Sequence, residues 1–158
     1  MEKPFQRVGS ISNAHVGNEF ELEVQKYFSY QQIELKRNFS LQIGIKADCK
    51  KGHRFDLGEN APSLLVECKS HTWTVGDIIP SAKLTTWNQE MYYFHMAPKR
   101  FRKILFTLRS LSKRRKETLA EYYVRRHENM IPRGVEVWEF DMEDKTAKQV
   151  YPTIQLLM

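Results

Sequence analysis

The most constraining feature of the sequence is an apolar run that continues directly into charged residues. Residues 64–66 (Leu-Leu-Val) are typical of a buried strand, yet Glu67 and Lys69 follow within the same strand-length segment. Strand side chains alternate, so Glu67 and Lys69 would share one face while Cys68 points to the other. A lone buried carboxylate is costly unless compensated, so the pair is either a structural ion pair or a functional site.

Periodicity elsewhere in the chain predicts further helices and strands. Apolar residues recur at helical spacing from Ser12 or Asn13 to about Tyr30 and again over about 81–95. We also predict a strand at 39–45, a turn at 48–52, a short strand at 54–57, a loop at 58–62, a strand at 104–108, a helix over about 113–129 capped by Ser112, a strand at 135–140 and a last hairpin through Lys145. This order predicts an α/β or α+β fold, with a mixed central β-sheet flanked by helices.

Composition indicates one folded domain. The 158 residues are 41% apolar, and no repeat or linker divides them, so we expect one unit over 1–158 with its core at about 14–140. No apolar stretch approaches the ~18–20 residues of a membrane span, and no signal segment is visible. Cys49 and Cys68 are too few for a disulfide framework. The expectation is a cytoplasmic protein that does not enter a membrane.

Basic residues are concentrated in one segment. Between Lys99 and Arg126 eleven basic residues face two acidic ones, so the segment carries +9 in a chain of net charge +6. Such a stripe is typical of a protein that binds a polyanion, here DNA or RNA, although a solvated helix face would also produce it. The candidate nucleic-acid-binding residues are Lys99, Arg100, Arg102, Arg109, Lys113, Arg114, Arg115 and Lys116.

A further carboxylate precedes the charged strand. Asp56 lies between Phe55 and Leu57 in the short strand, so it would point away from the face of these two apolar neighbours. Asp56, Glu67 and Lys69 can then converge on adjacent strands. Converging carboxylates are what a hard, oxygen-seeking cation such as Mg²⁺ requires.

These residues resemble the PD-(D/E)XK nucleases, the superfamily of restriction endonucleases and archaeal Holliday-junction resolvases. The match is Asp56, ten intervening residues, and then Glu67-Cys68-Lys69. The family's proline before the aspartate is replaced here by Phe55. The resemblance extends over the element order of about 14–110 and implies a restriction endonuclease-like fold.

The first helix adds a second point of resemblance. Its Gly17-x-x-x-Glu21 spacing is similar to the acidic motif of the resolvase branch, although Glu23 lies about as far from the apolar stripe as Glu21 does. Either glutamate could belong to the surface. The resemblance favours Glu21.

The resemblance also implies a mechanism. Asp56, Glu67 and the backbone carbonyl of Cys68 would hold Mg²⁺ or Mn²⁺, and Lys69 would orient or deprotonate the attacking water. Glu21 would contribute to a second metal ion or its water. The implied function is a metal-dependent endonuclease that hydrolyses phosphodiester bonds in DNA, with structure-selective or weakly sequence-specific cleavage, as a homodimer.

Other interpretations stay open at this stage. A catalytically silent nucleic-acid-binding module, or a basic subunit of a larger nucleoprotein assembly, would share the same charge pattern. Cys49 with His53 and Cys68 with His71 have a zinc-like spacing, but on one strand Cys68 and His71 would point to opposite faces. Gln89-x-x-x-Tyr93 is similar to an element of related exonucleases, yet Gln89 lies opposite the apolar stripe of its helix, which favours a solvated surface.

Overall fold

The computed structural model describes residues 13–154, which form a central sheet covered by helices on both faces. The elements are α1 (Asn13–Ser29), β1 (Lys36–Lys46), β2 (Cys49–Asn60), β3 (Ser63–Lys69), α2 (Ser81–Met96), β4 (Arg102–Leu108), β5 (Leu111–Ser112), β6 (Glu117–Thr118), α3 (Leu119–His127), a 3₁₀ turn (Glu128–Met130), β7 (Val135–Asp141) and β8 (Thr146–Tyr151). The predicted helix cap at Ser12 or Asn13 and the N-terminal segment searched for a signal lie outside the described side chains.

The sheet has six strands in the order β1-β2-β3-β4-β7-β8. The strands β3, β4 and β7 run parallel, and the remaining neighbours pair antiparallel. Parallel neighbours need a crossover, which α2 supplies between β3 and β4 and α3 between β4 and β7. The charged strand β3 therefore lies in the middle of a mixed sheet, and the predicted α/β class is confirmed.

Each face of the sheet has its own hydrophobic core. On one face the α1 side chains Phe20 and Val24 pack in a cluster with Val66 of β3. On the other face Trp87 of α2 packs with Leu65 of β3, together with residues of α3. Because these clusters lie on opposite sides of β3, adjacent side chains of that strand enter different cores. Buried apolar side chains extend along the chain from Phe20 to Phe140.

The predicted third helix begins later than expected. Ser112 accepts a hydrogen bond from the Arg115 N–H at 3.1 Å, as a helix cap would, but Lys116 then adopts a left-handed φ of 58° and ends the turn. Residues 113–116 connect β5 to β6 instead. The helix starts only at Leu119, where Thr118 and Glu121 form a reciprocal capping box.

The first hairpin also differs from the prediction. The turn predicted at 48–52 lies at residues 47–48. The strand β2 runs from Cys49 to Asn60, so only residues 61–62 of the loop predicted at 58–62 form a turn. Gly58 is paired with Lys36 of β1 and Leu65 of β3, and Phe39 of β1 lies over it. The other predicted helices and strands are confirmed, with ends within a few residues. Among residues 13–154, no helix is long and apolar enough to cross a membrane.

We predict that Gly58→Ala destabilises the fold while Gly52→Ala on the same strand does not. A Cβ at Gly58 would lie 2.6–2.9 Å from three Phe39 atoms, whereas at Gly52 the nearest atom is the movable amide nitrogen of Gln42 at 3.3 Å. The expected loss for Gly58→Ala is about 1–3 kcal/mol. Urea unfolding of both variants measures it, and equal stabilities would contradict the close packing of Phe39 on β2.

Candidate metal-binding and catalytic site

The candidate site lies where β2 and β3 separate. Their backbone pairing begins at Asn60 with Ser63 and ends at Leu57 with Val66. Beyond that point side chains replace the ladder: the Cys68 N–H donates to Asp56 Oδ2 at 2.8 Å, and the Asp56 N–H donates to Glu67 Oε1 at 3.3 Å. Both carboxylates are therefore fixed at the point of divergence by backbone groups that the sheet leaves unpaired.

An irregularity in β2 places Asp56 between the two faces of the sheet. Strict alternation predicted that Phe55 and Leu57 share a face, but Phe55 packs in the α2-side core and Leu57 in the α1-side core. Opposite Asp56, Asn38 of β1 has a φ of 55°, and the regular β1–β2 pairing skips this position. The Asp56 carboxylate can consequently interact with groups from both helical layers.

The expected alternation of β3 is confirmed, but the ion pair in the site is a different one. Cys68 packs on the α1 side, whereas Glu67 and Lys69 face α2. There Lys69 Nζ lies 3.1 Å from Glu90 Oε1, and Glu67 and Glu90 are only 4% and 8% exposed. The lysine thus neutralises Glu90 of α2, and the nearby Glu67 is left as a buried carboxyl without a bonded cation among the described residues.

Burial and the crowding of carboxyl groups raise the pKa values of three glutamates in this cluster. Burial raises the pKa of Glu67 well above its ordinary value, and the charges of Asp56 and Glu90 raise it further. Burial also raises the pKa of Glu90, although Lys69 opposes the shift. For Glu21 of α1, burial and then the charge of Asp56 raise the pKa. Asp56 is the common neighbour of all three acids.

The structure distinguishes Glu21 from Glu23. Glu21 interacts with Asp56 electrostatically and accepts a hydrogen bond from Arg37 Nε at 3.4 Å. Glu23 lies near Lys26 and Lys145, at 3.5 and 3.4 Å. Of these two glutamates, only Glu21 is therefore placed at the β2–β3 fork. At Gly17 its helix lies beside the residue that follows β3, because an added Cβ would be in ordinary contact with Ser70 Oγ at 3.8 Å.

Two residues of the site were not predicted from the sequence. His53 of β2 stacks on Tyr93 of α2, with ring centroids 3.9 Å apart, and its Nε2 lies 4.0 Å from Glu67 Oε1. Burial lowers the pKa of His53 despite the opposing charge of Asp56. Glu90 could have been found, because it lies three residues after Trp87 and four before Phe94 and so borders the apolar stripe of α2. The sequence indicated His53 only through its zinc-like spacing from Cys49, and nothing in it connected His53 with Glu67 or Glu90.

The remaining candidate ligands lie outside this cluster. Gln89 is exposed and donates a hydrogen bond to Tyr93 Oη at 3.2 Å, as a surface residue would. His71 lies beyond the end of β3 and accepts a hydrogen bond from Trp87 Nε1 at 2.8 Å. Cys49 is exposed. In the described part of the chain, one group of potential metal ligands converges. It consists of His53, Glu67 and Glu90 and contains no cysteine.

The predicted basic stripe is divided by a strand. Lys99, Arg100 and Arg102 lie at the start of β4, whereas Arg109 and the 113–116 turn follow its end. Seven extended residues separate Arg102 from Arg109 by about 23 Å. Because β3 and β4 are parallel and Lys69 is opposite Thr107, only the second group lies at the sheet edge that carries the acidic cluster.

All five arginines that were predicted to bind nucleic acid interact with other residues of the protein. Arg102 donates two hydrogen bonds to Glu136 at 2.7 and 2.9 Å. Arg109 lies 3.7 Å from Glu139, and Arg100 covers the ring of Phe101. Arg114 and Arg115 donate to the carbonyl oxygens of Gly76 and Asp77, so they support the 74–78 turn. Lys113 and Lys116 of the same basic turn are exposed.

Comparison with known proteins adds no family to this geometry. No protein-family model, curated protein or solved structure matches the chain. Function must therefore be inferred from the site.

We predict that Glu67→Gln stabilises the metal-free protein at pH 7.5. The folded state binds the Glu67 proton more tightly than the unfolded chain, so this carboxyl is most favourable at low pH and its contribution is lost as pH rises through the raised folded pKa. A neutral amide removes that penalty and can donate to Asp56. The expected gain is on the order of 1 kcal/mol, about 2–4 °C in melting temperature, and it should shrink toward pH 5.

Glu136→Gln is the matched control. Burial raises the pKa of Glu136, but hydrogen bonds from Arg102 and Trp138 outweigh it and hold the pKa below its ordinary value. This substitution should therefore lower stability at pH 7.5, with an effect that fades at acid pH. Destabilisation by both variants would show that the Glu67 charge is compensated in the fold.

Proposed function

We propose that this chain is a metal-dependent nuclease of the restriction endonuclease-like fold that hydrolyses phosphodiester bonds in DNA. The observation that carries the proposal is the fixing of Asp56 and Glu67 at the fork of β2 and β3, with Lys69 one position further on the same face of β3 as Glu67. Glu67 is buried and Asp56 is half-buried beside it, so the two carboxylates repel each other unless a cation lies between them.

The donor set fits a hard divalent cation. Asp56, Glu67 and the backbone carbonyl of Cys68 supply oxygen atoms, the ligands that Mg²⁺ and Mn²⁺ take, and Glu21 adds a carboxylate from α1. Glu67 is buried and forms no ion pair with a lysine or arginine among residues 13–154, as expected where a positive charge is missing. When bound, the cation supplies Lewis-acid stabilisation of the charge that develops on the phosphate.

The role proposed for Lys69 is to orient the attacking water through Nζ. Its contact with Glu90 Oε1 fixes the position of that atom. Glu90 is itself held on α2, whose apolar stripe is packed in the core through Trp87 and Phe94. An ammonium group held in this position could donate a hydrogen bond to the attacking water.

The basic turn at 113–116 suits a phosphate backbone near this site. Lys113 and Lys116 are exposed at the same sheet edge as Lys69, and Arg114 and Arg115 stabilise the base of the turn. Lysine and arginine contacts with phosphates supply most sequence-independent affinity for DNA. The proposal includes a homodimer, which the resemblance implies because two sites would cleave the two DNA strands.

We expect Asp56→Asn, Glu67→Gln and Lys69→Met each to lower metal-dependent cleavage by at least about 100-fold. A gel assay with linear, nicked and branched DNA in Mg²⁺, Mn²⁺ or EDTA measures it. Because the three groups act as one unit, a double variant should be little worse than either single variant.

Glu59→Gln serves as the control for cleavage. It lies on β2 like Asp56, but its carboxylate is near Lys36 at the other end of the β2–β3 pairing. It should retain full activity. Full activity of Glu67→Gln, or equal cleavage in EDTA, would contradict the proposal.

The divided basic stripe gives a separate prediction for binding. Replacing Lys113 and Lys116 with Ser should reduce the slope of log affinity against log salt by about 0.9 for each phosphate of duplex DNA that is no longer neutralised. Replacing Lys99 and Arg100, near the other end of β4, should leave the slope unchanged. Fluorescence anisotropy over a salt series measures both slopes, with all variants carrying Asp56→Asn so that DNA is not cleaved. A slope that changes only when Lys99 and Arg100 are replaced would place DNA at the opposite edge of the sheet.

A further inference from the structure

Three side chains from three different elements meet beside the proposed catalytic residues. His53 of β2, Glu67 of β3 and Glu90 of α2 each offer a ligand atom, and these atoms lie within 4.8 Å of one another. His53 and Glu90 have no part in the metal site that the sequence resemblance implies. Only Glu67 is common to both groups.

Two atoms of this group are buried and lack a partner. His53 Nε2 and Glu90 Oε2 have no hydrogen bond within the described structure. His53 Nε2 is 4.0 Å from Glu67 Oε1, which is too long for a hydrogen bond. Lys69 does not resolve this, because its ammonium bonds to the other oxygen of Glu90. Buried polar atoms are almost always paired, so this pattern indicates a missing positive ligand.

The surroundings hold these side chains in position. The His53 ring stacks on Tyr93 at 3.9 Å and meets Phe55 edge-on at 4.7 Å. Glu67 is fixed by the Asp56 N–H, and Glu90 by Lys69. A site whose ligands are oriented by such neighbouring contacts binds a metal without a large cost in side-chain ordering.

We propose that His53, Glu67 and Glu90 bind a divalent transition-metal ion in preference to Mg²⁺. Mg²⁺ and Ca²⁺ favour sites made only of oxygen ligands, whereas an imidazole nitrogen favours transition-metal ions. One imidazole with two carboxylates therefore selects Mn²⁺ and later members of the series. The inference does not depend on DNA cleavage, although a metal here would share Glu67 with the proposed catalytic site.

The test is a titration of the full chain with Mn²⁺ and, separately, with Mg²⁺, each without DNA. Isothermal calorimetry measures both affinities, and loss of the electron paramagnetic resonance signal of free Mn²⁺ measures Mn²⁺ binding independently. The wild type should bind Mn²⁺ at least about tenfold more tightly than Mg²⁺. His53→Phe keeps an aromatic ring against Tyr93 but removes the nitrogen, so it should lose that preference and leave Mg²⁺ binding nearly unchanged. Glu90→Gln keeps an acceptor for Lys69 and should weaken Mn²⁺ binding on the order of tenfold or more.

His95→Phe, at an exposed histidine on α2, is the control and should bind Mn²⁺ as the wild type does. Melting curves in EDTA establish whether each variant is folded. If His53→Phe does not fold, the Mn²⁺ affinity of Glu90→Gln decides the result. Equal Mn²⁺ affinity for the folded variants and the wild type, or no preference of the wild type for Mn²⁺ over Mg²⁺, would overturn the inference. Absence of cleavage with retained Mn²⁺ selectivity would instead contradict only the proposed nuclease function.

Discussion

The separation of β2 from β3 is the constraint on which the candidate site depends. Backbone pairing stops at Leu57 and Val66, and Asp56 then accepts the Cys68 N–H that the sheet no longer satisfies. An unpaired buried N–H is costly, so the Asp56 carboxylate is required by the fold as well as available for chemistry. The same bond fixes Asp56 beside Glu67. The position of the site thus follows from where the sheet opens.

The fold around this fork tolerates an unfavourable concentration of charge. Asp56 raises the pKa of Glu67 and Glu21 after the larger effect of burial, and within the cluster Lys69 neutralises Glu90. The cost is met by two apolar cores, one on each face of the sheet, that hold β3 between α1 and α2. Strain at one charged cluster can persist because the surrounding structure is held by packing elsewhere.

Positive charge serves two different purposes in this protein. Arg102, Arg114 and Arg115 form hydrogen bonds within the protein, the last two to carbonyl oxygens of the 74–78 turn. Lys113 and Lys116 of the 113–116 turn are exposed instead, as the proposed contact with a polyanion requires. A count of basic residues along the chain cannot separate these roles, because both produce the same local net charge.

The sequence by itself determined the element order, the two long helices, the central strand and the face shared by Glu67 and Lys69, since these follow from periodicity and alternation. Only the tertiary structure decided three other features. The irregular position at Asp56 breaks alternation, the left-handed Lys116 ends a helix that Ser112 would otherwise start, and α2 brings Glu90 against Lys69. Each of these features depends on contacts between residues distant in sequence or on a single backbone angle. Local patterns of apolar and polar residues indicate neither of these. His53 joined the site for the same reason, through its stacking on Tyr93.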